Sequence, residues 1–120
     1  MGLKFENMKV WQKSLDMTLT VHNLTLKFPK EELYVLSSQI KRAADSVCLN
    51  IAEGSIGTSD KEFNRFMGIA LKSAVEVNAC LHVARKRELI SNQEFKEIES
   101  GNIEIIKMIQ AFRNTLMASS

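Results

Sequence analysis

The chain predicts an all-α fold: four amphipathic helices in an antiparallel, up-down-up-down bundle. Apolar residues recur at 3–4 spacing through four long segments, and no stretch alternates apolar with polar as a half-buried strand would. Two capping boxes, Ser59-Asp60-Lys61-Glu62 and Ser91-Asn92-Gln93-Glu94, mark helix starts. The single proline and the glycine-bearing loop Gly54–Thr58 fall between periodic segments, where helix breakers belong. The helices are expected near 8–27, 30–53, 59–87 and 92–117, in one domain spanning 1–120. Their short connections make sequential neighbours antiparallel.

The first helix starts after Asn7, an acceptable N-cap. Met8, Trp11, Leu15, Leu19, His22 and Leu26 form one stripe, and Val10, Met17, Val21, Leu24 and Phe28 a second. Two stripes exceed what one intramolecular face needs, so the surplus points to contact with another subunit. His22 reads as a half-buried histidine with a backbone or carboxylate partner. Pro29 cannot continue this helix but suits the first turn of the next, where Glu31 and Glu32 meet the positive end of the dipole. Gly54 reads as the residue just past the end of that second helix.

The chain is organised around this second helix. At ~100° per residue, Gln39, Arg42, Ser46, Asn50 and Glu53 share a narrow sector beside the apolar one of Leu36, Ile40, Ala43, Val47 and Ile51. Lys41 and Asp45, four apart, point to a third, solvated side. The polar stripe mixes a cation, an anion, amides and a hydroxyl that can satisfy one another. Its plain reading is a structural seam between helices, with Arg42 paired to Glu53 or to Glu76 of the third helix. Its second reading is a ligand or partner surface, to which Ser73 and Glu76 would contribute.

The loop Gly54-Ser55-Ile56-Gly57-Thr58 has glycines without the spacing or lysine of a phosphate-binding loop, so it reads as a turn. The third helix sets Phe63, Phe66, Met67, Ala70, Ala74, Val77, Leu81 and Ala84 on one face, with Leu71, Val75, Asn78 and His82 beside them. It ends in Arg85-Lys86-Arg87, cations at the negative pole of its dipole. The fourth helix carries Phe95, Ile98, Ile105, Ile109, Phe112 and Leu116, with Asn102 in one apolar slot. Gly101 marks a bend or a close contact, and the tail from Ala118 to Ser120 reads as frayed.

Particular blocks of these helices are similar to a known family. Phe28-Pro29-x-x-Glu32, Gln39-Ile40-x-Arg42-Ala43-Ala44-x-Ser46, Asn50-Ile51-Ala52-Glu53-Gly54 and Ala70-x-x-Ser73-x-x-Glu76 resemble a bacterial four-helix-bundle family. It comprises the S23-type proteins encoded in intervening sequences of 23S ribosomal RNA genes and the accessory protein of diversity-generating retroelements. The resemblance covers nearly the whole chain. It implies a homopentameric, barrel-like assembly and, for the retroelement branch, binding of nucleic acid and of a reverse transcriptase.

Composition narrows the function classes. With 45% apolar and 25% charged residues in 120, the chain can bury one modest core. A net charge of +2 permits nucleic-acid contact without arguing for it. No apolar run approaches membrane-spanning length, and the first residues lack a signal-peptide core, so a cytoplasmic protein without a membrane partner is expected. Cys48 and Cys80 sit in helical patterns and read as buried, reduced thiols.

Nothing marks an enzyme. The Glu-x-x-His pairs of a di-metal bundle do not occur, and a cysteine–histidine nucleophile has no motif behind it. No cofactor and no metal are expected. The expected role is a non-enzymatic, homo-oligomeric interaction scaffold that binds RNA or DNA weakly and without sequence preference, or assists a nucleic-acid enzyme. The alternative is a structural protein–protein module without nucleic-acid contact. In an up-down-up-down bundle the first and third connections share one end. Lys27, Lys30, Arg85, Lys86 and Arg87 are therefore expected at one rim with few acids, Glu31, Glu32 and Glu88, between them.

Overall fold

A computed structural model describes residues 2–119. It contains four α-helices and, among the described residues, no strand: α1 Lys9–Thr25, α2 Leu36–Ser55, α3 Asp60–Lys86 and α4 Asn92–Ser119. Short 3-10 turns precede α1, at Lys4–Asn7, and α2, at Lys30–Glu32. Each helix packs against the next, and α1 returns against α4, while the diagonal pairs make no close backbone approach among the described residues. The α2–α3 seam is the most extensive and the α1–α4 seam the sparsest.

Side-chain pairs give the directions. Gln39 meets Glu76, Ser46 meets Ser73, and Gly54 meets Phe63 and Phe66, so α2 and α3 run antiparallel. Arg113 meets Asn64 and Asn102 meets Ala74, so α3 and α4 do the same. Lys27 pairs with Glu94 and Lys13 with Glu104 across α1 and α4.

The core fills with the predicted faces: Val21, Ile40, Ile51, Met67, Val77, Leu81 and Ile109 are fully buried. α3 is long and apolar enough to cross a membrane by length and composition, beyond what its sequence suggested. Its apolar side is occupied as bundle core, with Met67, Ala70, Ala74 and Val77 sealed from solvent.

Helix ends follow the caps closely where polar caps exist. Ser91 and Glu94 form a complete box: Ser91 Oγ accepts from Glu94 N at 3.0 Å, and Glu94 Oε1 accepts from Ser91 N at 3.0 Å. The Ser59 box is half made, since Ser59 Oγ accepts from Glu62 N at 3.1 Å while Glu62 turns to Arg65.

Several boundaries differ from expectation. α1 begins at Lys9, after Asn7 is absorbed in the 3-10 turn, and ends at Thr25. α2 begins at Leu36 and not at Lys30. Leu33, Tyr34 and Val35 are all exposed, so no packed face holds that segment in a helix. α4 continues through Ala118 to Ser119 where fraying was expected; Ser120 lies outside the described residues.

The glycines carry the other corrections. Gly54 is not a left-handed cap: no described glycine has positive φ, and α2 runs past it to Ser55. The left-handed residue is Glu88, φ 61°, just past α3, where Leu89 N donates to Ala84 O at 2.9 Å. Gly101 makes only an ordinary contact, since a Cβ there would lie 3.6 Å from Met17 Cε.

The two stripes of α1 separate as predicted. Val10, Met17, Val21, Leu24 and Phe28 are core, whereas Leu15, Leu19 and Leu26 face solvent. His22 is exposed on that outer side and not half-buried, because its position on the helix follows the surplus stripe. The indole of Trp11 turns inward, its N–H buried without a hydrogen-bond acceptor, towards the thiol of Cys48 on α2.

Candidate functional site

Connectivity brings the five candidate cations to one end of the bundle. The neighbours of each decide how much charge reaches solvent. Lys27 Nζ pairs with Glu94 Oε2 at the start of α4. Arg87 Nη1 donates to both carboxylate oxygens of Glu32, at 3.2 and 3.3 Å. The Arg85 guanidinium stacks over Phe95, 3.7 Å from the ring centroid, with Nη2 3.5 Å from His82 Nδ1. Lys30 and Lys86 are exposed and have no ion-pair partner among the described residues.

Glu94 is the acid that sequence reasoning left out of this rim. It opens α4, and α4 begins beside the end of α1. The Lys27 ammonium first, and the Ser91 amide second, hold its carboxyl below the usual carboxylate range. Five cations thus face four carboxylates, Glu31, Glu32, Glu88 and Glu94, and the rim is close to neutral.

The α2 polar stripe divides into a satisfied half and an open half. Ser73 Oγ donates to Ser46 Oγ at 2.8 Å, and Asn50 Nδ2 donates to Ser46 O at 2.8 Å. Gln39 Nε2 reaches Glu76 Oε2 at 3.4 Å. This is the expected seam between α2 and α3. Arg42 and Glu53 are not in it. Both are exposed, and neither pairs with a charge among the described residues. Eleven positions at ~1.5 Å rise separate them by roughly 16 Å along the helix, too far to pair. Glu76 is already held by Gln39.

Arg42 and Glu53 instead line an open groove of about 710 Å³ on the outward side of α2, together with Leu33, Tyr34 and Leu49. Exposed apolar side chains, Leu33, Tyr34 and Leu49, thus share this groove with the two unpaired charges.

A second polar cluster joins α3 to α4 and was legible only in part. Asn102, buried in an apolar slot, donates through Nδ2 to Ala74 O at 2.9 Å. Asn78 Nδ2 donates to Glu99 Oε2 at 3.1 Å, and His82 Nε2 lies 3.3 Å from the same oxygen. Asn102 was visible as a polar residue in the stripe; its partners needed the α3–α4 register.

The thiols are poor nucleophiles. Burial pushes the Cys48 thiol up, against smaller opposing effects of Ser14 and Trp11, and burial with Glu76 pushes up Cys80. Among the described residues no three His, Cys, Asp or Glu side chains converge as metal ligands.

Comparison with known proteins bears on this arrangement. The family described as 23S rRNA-intervening sequence protein matches residues 6–111. A similar solved structure is a protein of unknown function from the S23 ribosomal protein family of Bacteroides thetaiotaomicron. It is 28% identical, with TM-score 0.81, over 87% of this chain and 97% of that one. No curated protein matches the chain. The matched span runs from the 3-10 turn before α1 deep into α4, taking in the α2 stripe and the rim, and the chain belongs to the 23S rRNA-intervening sequence protein family.

Proposed function

We propose that the protein is a non-enzymatic scaffold that self-associates into a ring-like homo-oligomer, five copies being the number the family resemblance favours. The assembly makes weak, sequence-nonspecific contact with RNA or DNA, or serves as accessory to a nucleic-acid enzyme such as a reverse transcriptase, in the cytoplasm. The observation that carries the reading is the outward apolar row on α1. Leu15, Leu19 and Leu26 are 45, 62 and 71% exposed, and Leu33, Tyr34 and Val35 continue the exposure at the α1–α2 connection. A row of this kind on a small domain is what a subunit contact covers. Unpaired Arg42 and Glu53, in the α2 groove that Leu33 and Tyr34 also line, supply charges of opposite sign for a neighbouring copy.

Nucleic-acid contact draws on Lys30 and Lys86, whose charges no carboxylate offsets directly among the described residues, and on repetition of that pair around a symmetry axis. The near-neutral rim favours the second reading, a protein–protein module without nucleic-acid contact. Light scattering of the parent and of a Leu19→Glu, Leu26→Glu variant tests association. The parent is expected as an oligomer at micromolar concentration and the variant as smaller species. A monomeric parent overturns the scaffold. Titration of labelled RNA and DNA at low and moderate salt separates the two readings: salt-sensitive binding supports the first, and none at low salt the second.

A further inference from the structure

Away from the rim, α3 and α4 hold a guanidinium in a seat that the core does not require. Arg113 Nε donates to Asn64 Oδ1 at 2.8 Å, which fixes the plane of the side chain. That plane lies over Gly68, one turn along α3 from Asn64. A Cβ built on Gly68 would come within 3.1 Å of Nη2, 3.2 Å of Cζ and 3.4 Å of Nη1. Glycine in the interior of a long helix is unfavourable, and here its missing side chain is the space in which the guanidinium rests.

Both Nη groups are left without a carboxylate among the described residues. Arg113 opens onto a recess of about 470 Å³ that it shares with Leu71, Gln110, Asn114 and Met117. Gln110, Arg113, Asn114 and Met117 follow 3–4 spacing on α4, so two amide side chains flank the cation on its own face.

The α4 side of the seat carries no acid, while Asp60 lies one turn before Asn64 on α3. From Ile105 to the end of the chain there is no Asp or Glu. Lys72, one turn beyond Gly68, and Lys107 are exposed and without an ion-pair partner among the described residues. Across the middle of the bundle, the half containing the rim holds eight cations and eight carboxylates, and the half containing Arg113 holds eight cations and six. The net positive charge lies at the end opposite the basic run of α3.

We propose that this seat is a phosphate-binding site. The two Nη groups take two oxygens of one phosphate group in the bidentate geometry for which a planar guanidinium is suited and an ammonium is not. Asn64 and Gly68 are positioning residues, Asn64 through the hydrogen bond to Nε and Gly68 by leaving room. The phosphate comes from a free phosphate or mononucleotide, or from the backbone of a nucleic acid. The site goes beyond the scaffold reading and does not depend on it, since a monomer would carry it too.

The test is nitrogen–proton NMR of the full chain, following the Arg113 Nε–Hε signal and the side-chain amides of Gln110 and Asn114. Inorganic phosphate is titrated against sodium chloride at matched ionic strength. A saturating shift with phosphate and not chloride is expected in the parent, with loss of the amide shifts in Arg113→Gln. Gly68→Ala keeps the charge and crowds the guanidinium, which must give by a few tenths of an ångström, so it is expected to weaken the phosphate response. It keeps the test decisive should Arg113→Gln fold poorly. No saturating shift in the parent, or the same amide shifts in Arg113→Gln or an unchanged response in Gly68→Ala, overturns the site. A short single-stranded oligonucleotide and the corresponding mononucleotide identify the source. Tighter binding of the oligonucleotide, lost in Arg113→Gln, supports the nucleic-acid backbone, and an equal response supports free phosphate or mononucleotide.

Discussion

Gly54 of α2 lies directly against Phe66 of α3: a Cβ on Gly54 would sit 2.7 Å from the Phe66 Cβ and 2.9 Å from Phe63 Cδ1. The two backbones approach here because one side chain is missing. Gly54→Ala gains about 1 kcal/mol of helix propensity and meets an overpacking cost of about 1–3 kcal/mol, with no flexible atom to yield at the Phe66 Cβ. A net loss of stability is expected, read as a lower midpoint in urea. An unchanged or raised midpoint would mean that α2 and α3 separate at little cost.

Asn102 ties α4 to α3 from inside the core. Asn102→Ala removes the donor to Ala74 O and leaves a small void, costing about 1–3 kcal/mol. Chemical denaturation checks it. Asn78→Ala, whose parent side chain is only half-buried, should cost less.

Glu94 gives the fold an acid-sensitive contact. Its carboxyl is held low by Lys27 and Ser91 in the folded chain, so the folded state binds this proton less readily than the unfolded one. The contribution is present above the unfolded pKa, about 4.3, and is lost as pH falls through the depressed folded value. Being partly exposed, the pair should contribute less than about 1 kcal/mol. Glu94→Gln is expected to be less stable than the parent at pH 7 and to converge with it as pH falls below the depressed folded value. Thermal melts across that range measure the convergence. A constant gap would mean that the Glu94→Gln substitution acts through the helix cap and not through the ion pair.

If the rim touches nucleic acid, its unpaired cations should dominate. Replacing Lys30 and Lys86 with alanine is expected to reduce the slope of log affinity against log salt by more than replacing Lys27 and Arg87, each phosphate contact contributing about 0.7–0.9 to that slope. Filter binding at three salt concentrations is sufficient. Equal effects would indicate that the pairs with Glu94 and Glu32 open on binding.

Legibility in the sequence followed the range of the interaction. The Ser91 cap and the buried stripes of all four helices depend on residues three or four apart, and they were readable. Gly54 was misread because a helix-ending glycine and a glycine in a tight crossing look alike until the facing residue, Phe66, is known. Glu88 could not be anticipated: glycine is the usual choice at that conformation, and glutamate bears no local mark of it. The supposed Arg42–Glu53 pair was excluded by spacing alone and could have been set aside. Glu94 was missed at the rim because charge was counted along two connections and not across the bundle end. Arg113 with Asn64 and Gly68 needed the register of α3 against α4, which no pattern within either helix specifies.

The sparse seam between α1 and α4 bears on how the fold opens. α2, α3 and α4 form two consecutive hairpins with dense seams, while α1 closes the bundle through its thinnest one and leaves Leu15, Leu19 and Leu26 of its surplus stripe exposed. Opening α1 therefore parts the sparsest set of helix seams. Its backbone amides are expected to exchange with deuterium ahead of those in α3, through a partial opening that leaves the other three helices together. The same opening would free α1 to take its place on a second copy, giving the chain a low-barrier route to helix exchange between subunits.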